Sequence, residues 1–396
     1  MLSPVLITAD AVGGVWQYAL ELARGMAARG VRVVLAAMGP APSPAQWREA
    51  QAIPGVRLEV TGLPLDWLAA NPAALDDAAY ALADLAGRAG VGSVHLHTPA
   101  LLGEAAWPVP VVTVVHSCVG TWWQTVRGGP LPADLAWRAA AVAHGLARAD
   151  AVIAPSAAFA AAVRRFYGTE RTVQVIHNGR RRLPVVHDLA DADDESRGWP
   201  ACAGHDEGAP AERQRPLVAA PDRSRVLTAG RLWDEGKNLA CLDAAAARMD
   251  APIRAAGPIA GPNGTAIALP HLALLGPLDE AALAREYAAA TIFVSMARYE
   301  PFGLAVLEAA QAGCALVLSD IPTFRELWDD AAVFLDPGDP GHVAETLDRM
   351  RQSPDRCAQL GALARSRAAR FDVDRMVART WDVHRALTRS IEQPAA

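Results

Sequence analysis

Two glutamates stand eight residues apart in the run Glu300-Pro-Phe-Gly-Leu-Ala-Val-Leu-Glu308, which ends at Gly313. Leu304, Leu307, Ala310 and Gln311 recur at helical spacing, so the run predicts a helix that starts near Phe302. Gly313 suits its C-cap. The backbone N–H groups of Phe302, Gly303 and Leu304 would form an end that attracts anions. Gly303 leaves no side chain where a ligand approaches the backbone. At 1.5 Å per residue, the backbones of Glu300 and Glu308 lie up to roughly 12 Å apart. The paired carboxylates of a glycosidase sit about 5 to 9.5 Å apart, so hydrolysis by such a pair is excluded. The wider spacing suits two carboxylates at opposite ends of one elongated ligand, such as a nucleotide sugar. An ordinary surface helix with two solvated glutamates is the plain alternative.

Other polar residues cluster just after predicted strands: Gly13, His97, His116, Asn178, Gly230, Arg231, Gly257, Gly276, Glu300 and Asp320. In open parallel α/β sheets, ligands bind outside the carboxyl ends of the strands. Gly13-Gly14 joins a predicted strand, Pro4 to Ala9, to a predicted amphipathic helix, Val15 to Ala28. There the backbone amides can reach a phosphate, a tight turn being the equal alternative. His95 and His97 share one strand face, yet no nearby Cys or carboxylate completes a metal site. Trp122 and Trp123 read as core, with stacking on a sugar as the second choice.

The elements that must position these residues alternate. Strands are predicted at Val31 to Ala37, Gly92 to Leu96, Val111 to Val115, Ala151 to Ala154 and Thr172 to Ile176, with helical stretches between several of them. Alternation stops after Asn178-Gly179. Residues 181–222 carry charges, Gly and Pro without periodicity and read as a linker or long loop. Arg180 to Arg182 read as solvated, a membrane or a phosphate being the other candidates. Alternation resumes with strands near Val226 to Ala229, Ile253 to Ala256, Leu272 to Leu275, Thr291 to Ser295, Ala315 to Leu318 and Ala332 to Leu335. Three helices close the chain. This pattern predicts two α/β units, each a mostly parallel sheet covered on both faces.

Composition narrows the class. At 396 residues the chain exceeds one ordinary core. A net charge of -6 gives no reason to expect nucleic acid as a partner. Five cysteines without a Cys-x-x-Cys spacing read as reduced thiols in a cytoplasmic protein. The start of the chain lacks the basic region of a signal peptide, and no apolar run of about 18 residues predicts a membrane span. Peripheral membrane contact stays open.

Glu300 to Glu308 closely resembles the Glu-x7-Glu motif of retaining glycosyltransferases of the GT4 type, which have the GT-B fold. The resemblance implies two Rossmann-like domains facing each other across a deep cleft. Residues 1–180 would form the acceptor-binding domain and 223–370 the nucleotide-sugar domain, with a C-terminal helix and tail, 371–396, crossing back to the first. It implies that Glu300 lies beside the donor sugar and that Glu308 holds the ribose hydroxyls. Pro301, Phe302, Gly303 and Leu304 would bring backbone to the sugar and diphosphate. Gly230-Arg-Leu-Trp-Asp-Glu-Gly-Lys237 resembles the family segment whose Arg and Lys grip the diphosphate. Arg231 and Lys237 would then stabilise the charge that grows on the leaving group. No Asp-x-Asp metal motif of the other great glycosyltransferase fold is present, so no metal or other cofactor is expected. Gly13, Gly14, Gly257 and Gly276 would line the donor, and His116 would sit beside the reacting sugar, with a pH-sensitive role.

The activity implied is transfer of a sugar from a nucleoside-diphosphate sugar to a sugar, lipid-linked or small-molecule acceptor, with retention of configuration. A nucleotide-sugar epimerase or phosphorylase on the same fold, or an inactive nucleotide-sugar sensor, would use many of the same residues. Two departures bear on the donor sugar. Ser319-Asp-Ile-Pro-Thr-Phe-Arg-Glu326 lacks the family's glycine pair, and Met296-Ala-Arg-Tyr299 replaces its Pro-Ser before the first glutamate.

Overall fold

Continuous apolar runs such as Val5-Leu-Ile-Thr-Ala become strands buried on both faces, as parallel sheets covered by helices require. The structure is a computed structural model and describes residues 2–183 and 225–392. Apart from its first three residues, the linker expected at 181–222 lies outside the described residues.

The first sheet contains β1 (Val5–Asp10), β2 (Val33–Met38), β3 (Val56–Val60), β4 (Ser93–Leu96), β5 (Val111–Val114), β6 (Ala151–Ala154) and β7 (Val173–Val175). Its spatial order is β3-β2-β1-β4-β5-β6-β7, and every pairing is parallel. The second contains β8 (Val226–Ala229), β9 (Ile253–Ala256), β10 (Ala273–Gly276), β11 (Ile292–Ser295), β12 (Ala315–Ser319) and β13 (Ala332–Leu335). Its order is β10-β9-β8-β11-β12-β13, again all parallel. Both expected α/β units are present. Strand order reverses between β1 and β4 in the first sheet and between β8 and β11 in the second. Such reversal points open a crevice at the strands' carboxyl ends.

Alternate residues of each strand feed opposite cores. Leu6 packs with Val34, Leu82 and Leu146 on one face, while Ile7 packs with Leu20, Met26 and Val112 on the other. The second core includes Met376 and Val377 from the closing helix, Val373–Glu392. A Cβ on Gly25 would stand 2.5 Å from Val377, so the closing helix packs tightly on helix Gly14–Ala27. The C-terminal helix therefore crosses back and completes the first domain, as expected.

Among strands and α-helices, four segments went unseen in the sequence: β3 and helices Pro44–Gln51, Val119–Val126 and Pro322–Trp328. β3 is an edge strand whose run, Val-Arg-Leu-Glu-Val, is broken by charge. The helices span only seven or eight residues, too short for periodicity to declare itself. Among the described residues, no helix is long and apolar enough to cross a membrane. The described cysteines, Cys118, Cys241, Cys314 and Cys357, are buried and free.

Candidate active site

The two reversal points face each other. A Cβ added to Gly13, after β1, would stand 3.3 Å from Arg231 Nη1, after β8. One on Gly14 would stand 3.1 Å from Leu304 Cδ1, after β11. The glycine pair thus lets the first domain's turn approach the two anion-seeking segments of the second, and residues from three separate strand ends meet in one crevice.

Lys237 is the only lysine in the chain. It ends a short turn, Glu235–Lys237, capped by the Asp234 carboxylate, which accepts from Gly236 N at 3.0 Å. Two sets of bonds pin this turn to the segment before Glu300. The amides of Arg298 and Tyr299 donate to Gly236 O at 2.9 and 3.2 Å. Asn238, in the left-handed region at φ 55°, donates to Met296 O and Pro337 O, both at 2.9 Å. Lys237 Nζ is consequently ion-paired with Glu300. Arg231 pairs with Asp234 at 2.8 Å. Burial would raise the Asp234 carboxyl, but Arg231 and Lys237 outweigh it and hold it below the usual range.

The glycines at the ends of β8, β9 and β10 lie side by side. Gly230 N donates to Ala256 O at 3.0 Å and Gly257 N to Gly276 O at 2.8 Å. A Cβ on Gly257 would fall 1.8 Å from Gly230 O, at φ 138°, so only glycine fits there. Gly276, at φ 69°, faces open space. These backbones form one edge of the second sheet, where the sequence placed the nucleotide.

Several expectations need correction. The helix after β11 is Leu304–Ala312, with Gly303 at its N-cap in the left-handed region, φ 92°. It therefore starts two residues later than predicted, and the Leu304, Ala305 and Val306 N–H groups lead it. Phe302 is buried against His177 and Phe371, so only its backbone can reach a ligand. Glu308 does not face an open ribose site. It is 8% exposed; Oε1 accepts from Arg180 Nε at 2.9 Å, and Oε2 from the Tyr287 hydroxyl at 3.2 Å. Arg180 is not solvated either: it is buried and also bonds Glu21 at 2.9 Å. A guanidinium so buried persists because carboxylates surround it. Asp320 pairs with Arg325 at the surface and takes no part in the crevice.

Beside this crevice lies a cavity of ≈ 400 Å³, within the range of small-molecule sites. Asp10, Asp66, Trp67, His97, His116 and Trp122 line it from the first domain, and Arg231, Trp233 and Tyr299 from the second. Trp122 thus faces the cavity rather than the core, and its indole N–H reaches Asp234 Oδ1 at 3.4 Å across the cleft. Trp67 and Trp233 stack across the cleft with ring centroids 6.3 Å apart. Burial pushes the Asp10 and Asp66 carboxyls up.

His116 packs edge-on against Tyr18, with centroids 4.6 Å apart, and beside His97 at 5.1 Å. Behind them His95 Nδ1 meets His384 Nε2 at 3.1 Å, and His384 Nδ1 meets Ser93 Oγ at 2.8 Å. Burial holds His95 and His116 well below the usual imidazole range and His97 down to about 3. Burial thus favours the neutral imidazole at His116, which runs against the pH-sensitive role expected of it. Among the described residues, no group of three or more His, Cys, Asp or Glu is placed to hold a metal ion.

Residues that went unread in the sequence complete the cavity. Asp10 ends β1 and would have been found by the same strand-end rule that found Gly13. Tyr299 donates or accepts at Thr121 Oγ1 at 2.9 Å and receives the Cys118 N–H at 3.2 Å, which joins the domains. Asp66 lies in irregular chain, where no periodicity marks it.

Comparison with known proteins agrees with this geometry. The model of Glycosyltransferase Family 4 matches residues 12–180, and that of Glycosyl transferases group 1 matches residues 267–367. A D-inositol 3-phosphate glycosyltransferase of Xylanimonas cellulosilytica is 27% identical, covering 96% of this chain and 93% of that protein. One of the same name from Streptomyces scabiei is 27% identical over 96% of this chain and 87% of its own length. Among solved structures, sucrose-phosphate synthase of Thermosynechococcus elongatus superposes with a TM-score of 0.76 at 18% identity, covering 98% of this chain and all (100%) of that one. Anabaena HepE, solved with UDP and glucose, gives 0.67 at 15% identity over 97% of this chain and 100% of that one. At such identities these likenesses show the fold.

Proposed function

The chain belongs to glycosyltransferase family 4 and has the GT-B fold, and from that premise we propose how it transfers a sugar from its nucleotide-sugar donor. The observation that carries the reading is the meeting of Gly13-Gly14, Arg231 and Leu304, with the Lys237–Glu300 pair in the segment that leads into Leu304. The diphosphate lies along the Gly13-Gly14 turn and the start of helix Leu304–Ala312, where backbone N–H groups point at it. Arg231 and Lys237 turn from Asp234 and Glu300 to the diphosphate, Arg as a planar fork and Lys as a point charge. Glu300 is then left beside the donor sugar. Glu308 accepts ribose hydroxyls once Arg180 or Tyr287 gives way. Gly257 and Gly276 line the nucleotide, and His116 stands at the sugar as a neutral imidazole.

Transfer proceeds on one face of the anomeric carbon, with retention. The bond from that carbon to the diphosphate oxygen breaks as a bond to the acceptor oxygen forms. The acceptor's proton passes to the leaving diphosphate, so the protein supplies no nucleophile. Negative charge grows on the leaving group, and Arg231 and Lys237, once turned to it, stabilise that charge. No metal or other cofactor is proposed. The acceptor enters through the cavity between Asp66 and His116. A cytoplasmic location follows as a proposal from the nucleotide-sugar donor, with no nucleic-acid partner.

The test is a thermal-shift series against UDP-, GDP-, ADP- and CMP-sugars, then product analysis with and without acceptor. A bound donor raises the melting temperature by mass action. Isomerised donor without any acceptor would favour the epimerase reading, and an inverted glycosidic product would overturn retention.

A further inference from the structure

Four carboxylates and three guanidiniums line the cavity beside the donor crevice. Among the described residues, two of the three guanidiniums facing it are ion-paired and the third donates to backbone carbonyls. Arg231 pairs with Asp234 at 2.8 Å and Arg127 with Glu235 at 2.6 Å. Arg138 donates to Ala69 O at 2.7 Å and lies 4.3 Å over the Trp137 ring. Against these three stand four lining carboxylates, Asp10, Asp66, Asp234 and Glu235. When a donor draws Arg231 to its diphosphate, Asp234 loses that partner and the cavity becomes more acidic still.

The two carboxylates of the first domain keep accepting capacity. Asp10 receives the Val12 N–H at 2.7 Å. Asp66 receives the Thr98 hydroxyl at 2.9 Å. A carboxylate offers about four lone-pair sites, so both retain room for hydroxyl donors. Two imidazoles supply a second, independent signal. His97 is 8% exposed, and its Nε2 has no partner, nor has that of His116. Buried polar atoms are normally bonded, so atoms left unpaired at a cavity await a ligand. Trp67, Trp122 and Trp233 add flat apolar faces, which suit the C–H face of a saturated ring.

We infer that the cavity takes as acceptor an uncharged, polyhydroxylated ring, bonded by Asp10, Asp66 and the imidazoles of His97 and His116, and rejects the phosphorylated counterpart. A phosphate entering there would meet four carboxylates against three guanidiniums, two of which are already ion-paired. This inference rests on the acceptor reading above.

The experiment compares matched pairs: glucose with glucose 6-phosphate, and myo-inositol with its 3-phosphate. Binding is measured by saturation-transfer NMR and calorimetry on the full chain, with nucleoside diphosphates titrated in parallel. The neutral member of at least one pair should bind about tenfold or more tightly than its phosphate. Asp66→Asn should weaken that ring by about tenfold and leave nucleoside diphosphate binding unchanged. Should Asp66→Asn fail to fold, the wild-type ratio decides alone. Tighter binding of a phosphorylated member overturns the inference, as does binding of none of these rings by a chain that holds a nucleoside diphosphate. A chain that binds no nucleoside diphosphate overturns the donor reading instead.

Discussion

Lys237 shows how one side chain ties a sequence signal to a measurable chemistry. As the chain's only lysine, it is the sole side-chain amine available to a reagent. Pyridoxal phosphate with borohydride should therefore label one side chain, and a bound nucleoside diphosphate should protect it. Labelling undiminished by any nucleoside diphosphate would place the diphosphate elsewhere. Lys237→Ala should lower kcat by roughly 10²-fold, as loss of charge stabilisation in the transition state does. Activity should persist in EDTA; rescue by Mg²⁺ of an EDTA-silenced enzyme would contradict that. His116 carries the opposite lesson, because its type and place were legible while its protonation was not. Burial, and then the neighbouring His97, push its pKa down and favour the neutral form. His116→Gln should then lower kcat/KM and leave the shape of its pH profile unchanged. A break near pH 6.5 present only in the wild type would mean that the imidazole titrates in the working enzyme.

The elements decided what could be read. Strands buried on both faces are apolar runs, and the glycines and charges after them stand out against that background, so most residues of the proposed donor site were visible. Glu300 and Arg231 were found this way, and Lys237 through the family segment that follows β8. Residues whose role depends on another element were not. Asp66 and Trp233 mean nothing until two domains meet, and Arg180 looked solvated because its partners lie 128 and 159 residues away. The histidines of β4 gave only half a signal: His95 and His97 share a face, but their companion His384 arrives on the closing helix. That packing has a consequence for stability. Burial lowers His97 and His384 to about 3, and His95 well below the usual value. The unfolded chain takes up these protons near pH 6.5. The stability they carry is therefore intact above that value and is lost as pH falls from about 6.5 towards 3. Each removes up to about 1.4 kcal/mol per pH unit. Urea unfolding should show a falling midpoint between pH 7 and 5. His384→Gln, which keeps hydrogen bonding to Ser93 and His95, should flatten the fall by about one proton. Identical slopes in the two proteins would show that His384 is already charged in the folded state.

Across the whole molecule, the donor crevice is only as well formed as the contact between domains. Glu326 of the second domain accepts from Ala157 N at 2.8 Å and Ala158 N at 2.6 Å, capping a helix of the first. Deeper in, Arg180 joins Glu21 of helix Gly14–Ala27 to Glu308 of helix Leu304–Ala312. In the proposed donor site these are the two helices whose N-termini face the diphosphate, so one buried guanidinium ties together both of its walls. Removing one partner of a buried ion cluster leaves charge without compensation, which costs about 3–5 kcal/mol. Arg180→Met should lose stability of that order in equilibrium unfolding. Arg180→Lys should restore little, because a point charge cannot bond both carboxylates as the planar fork does. The same substitution tests Glu308. If ribose hydroxyls must displace Arg180 to reach that carboxylate, its removal lifts the competition. A nucleoside diphosphate should then raise the melting temperature of Arg180→Met by more than it raises that of the wild type. An equal or smaller rise would mean that the ribose never reaches Glu308, and that the second glutamate of the motif serves the domain contact alone.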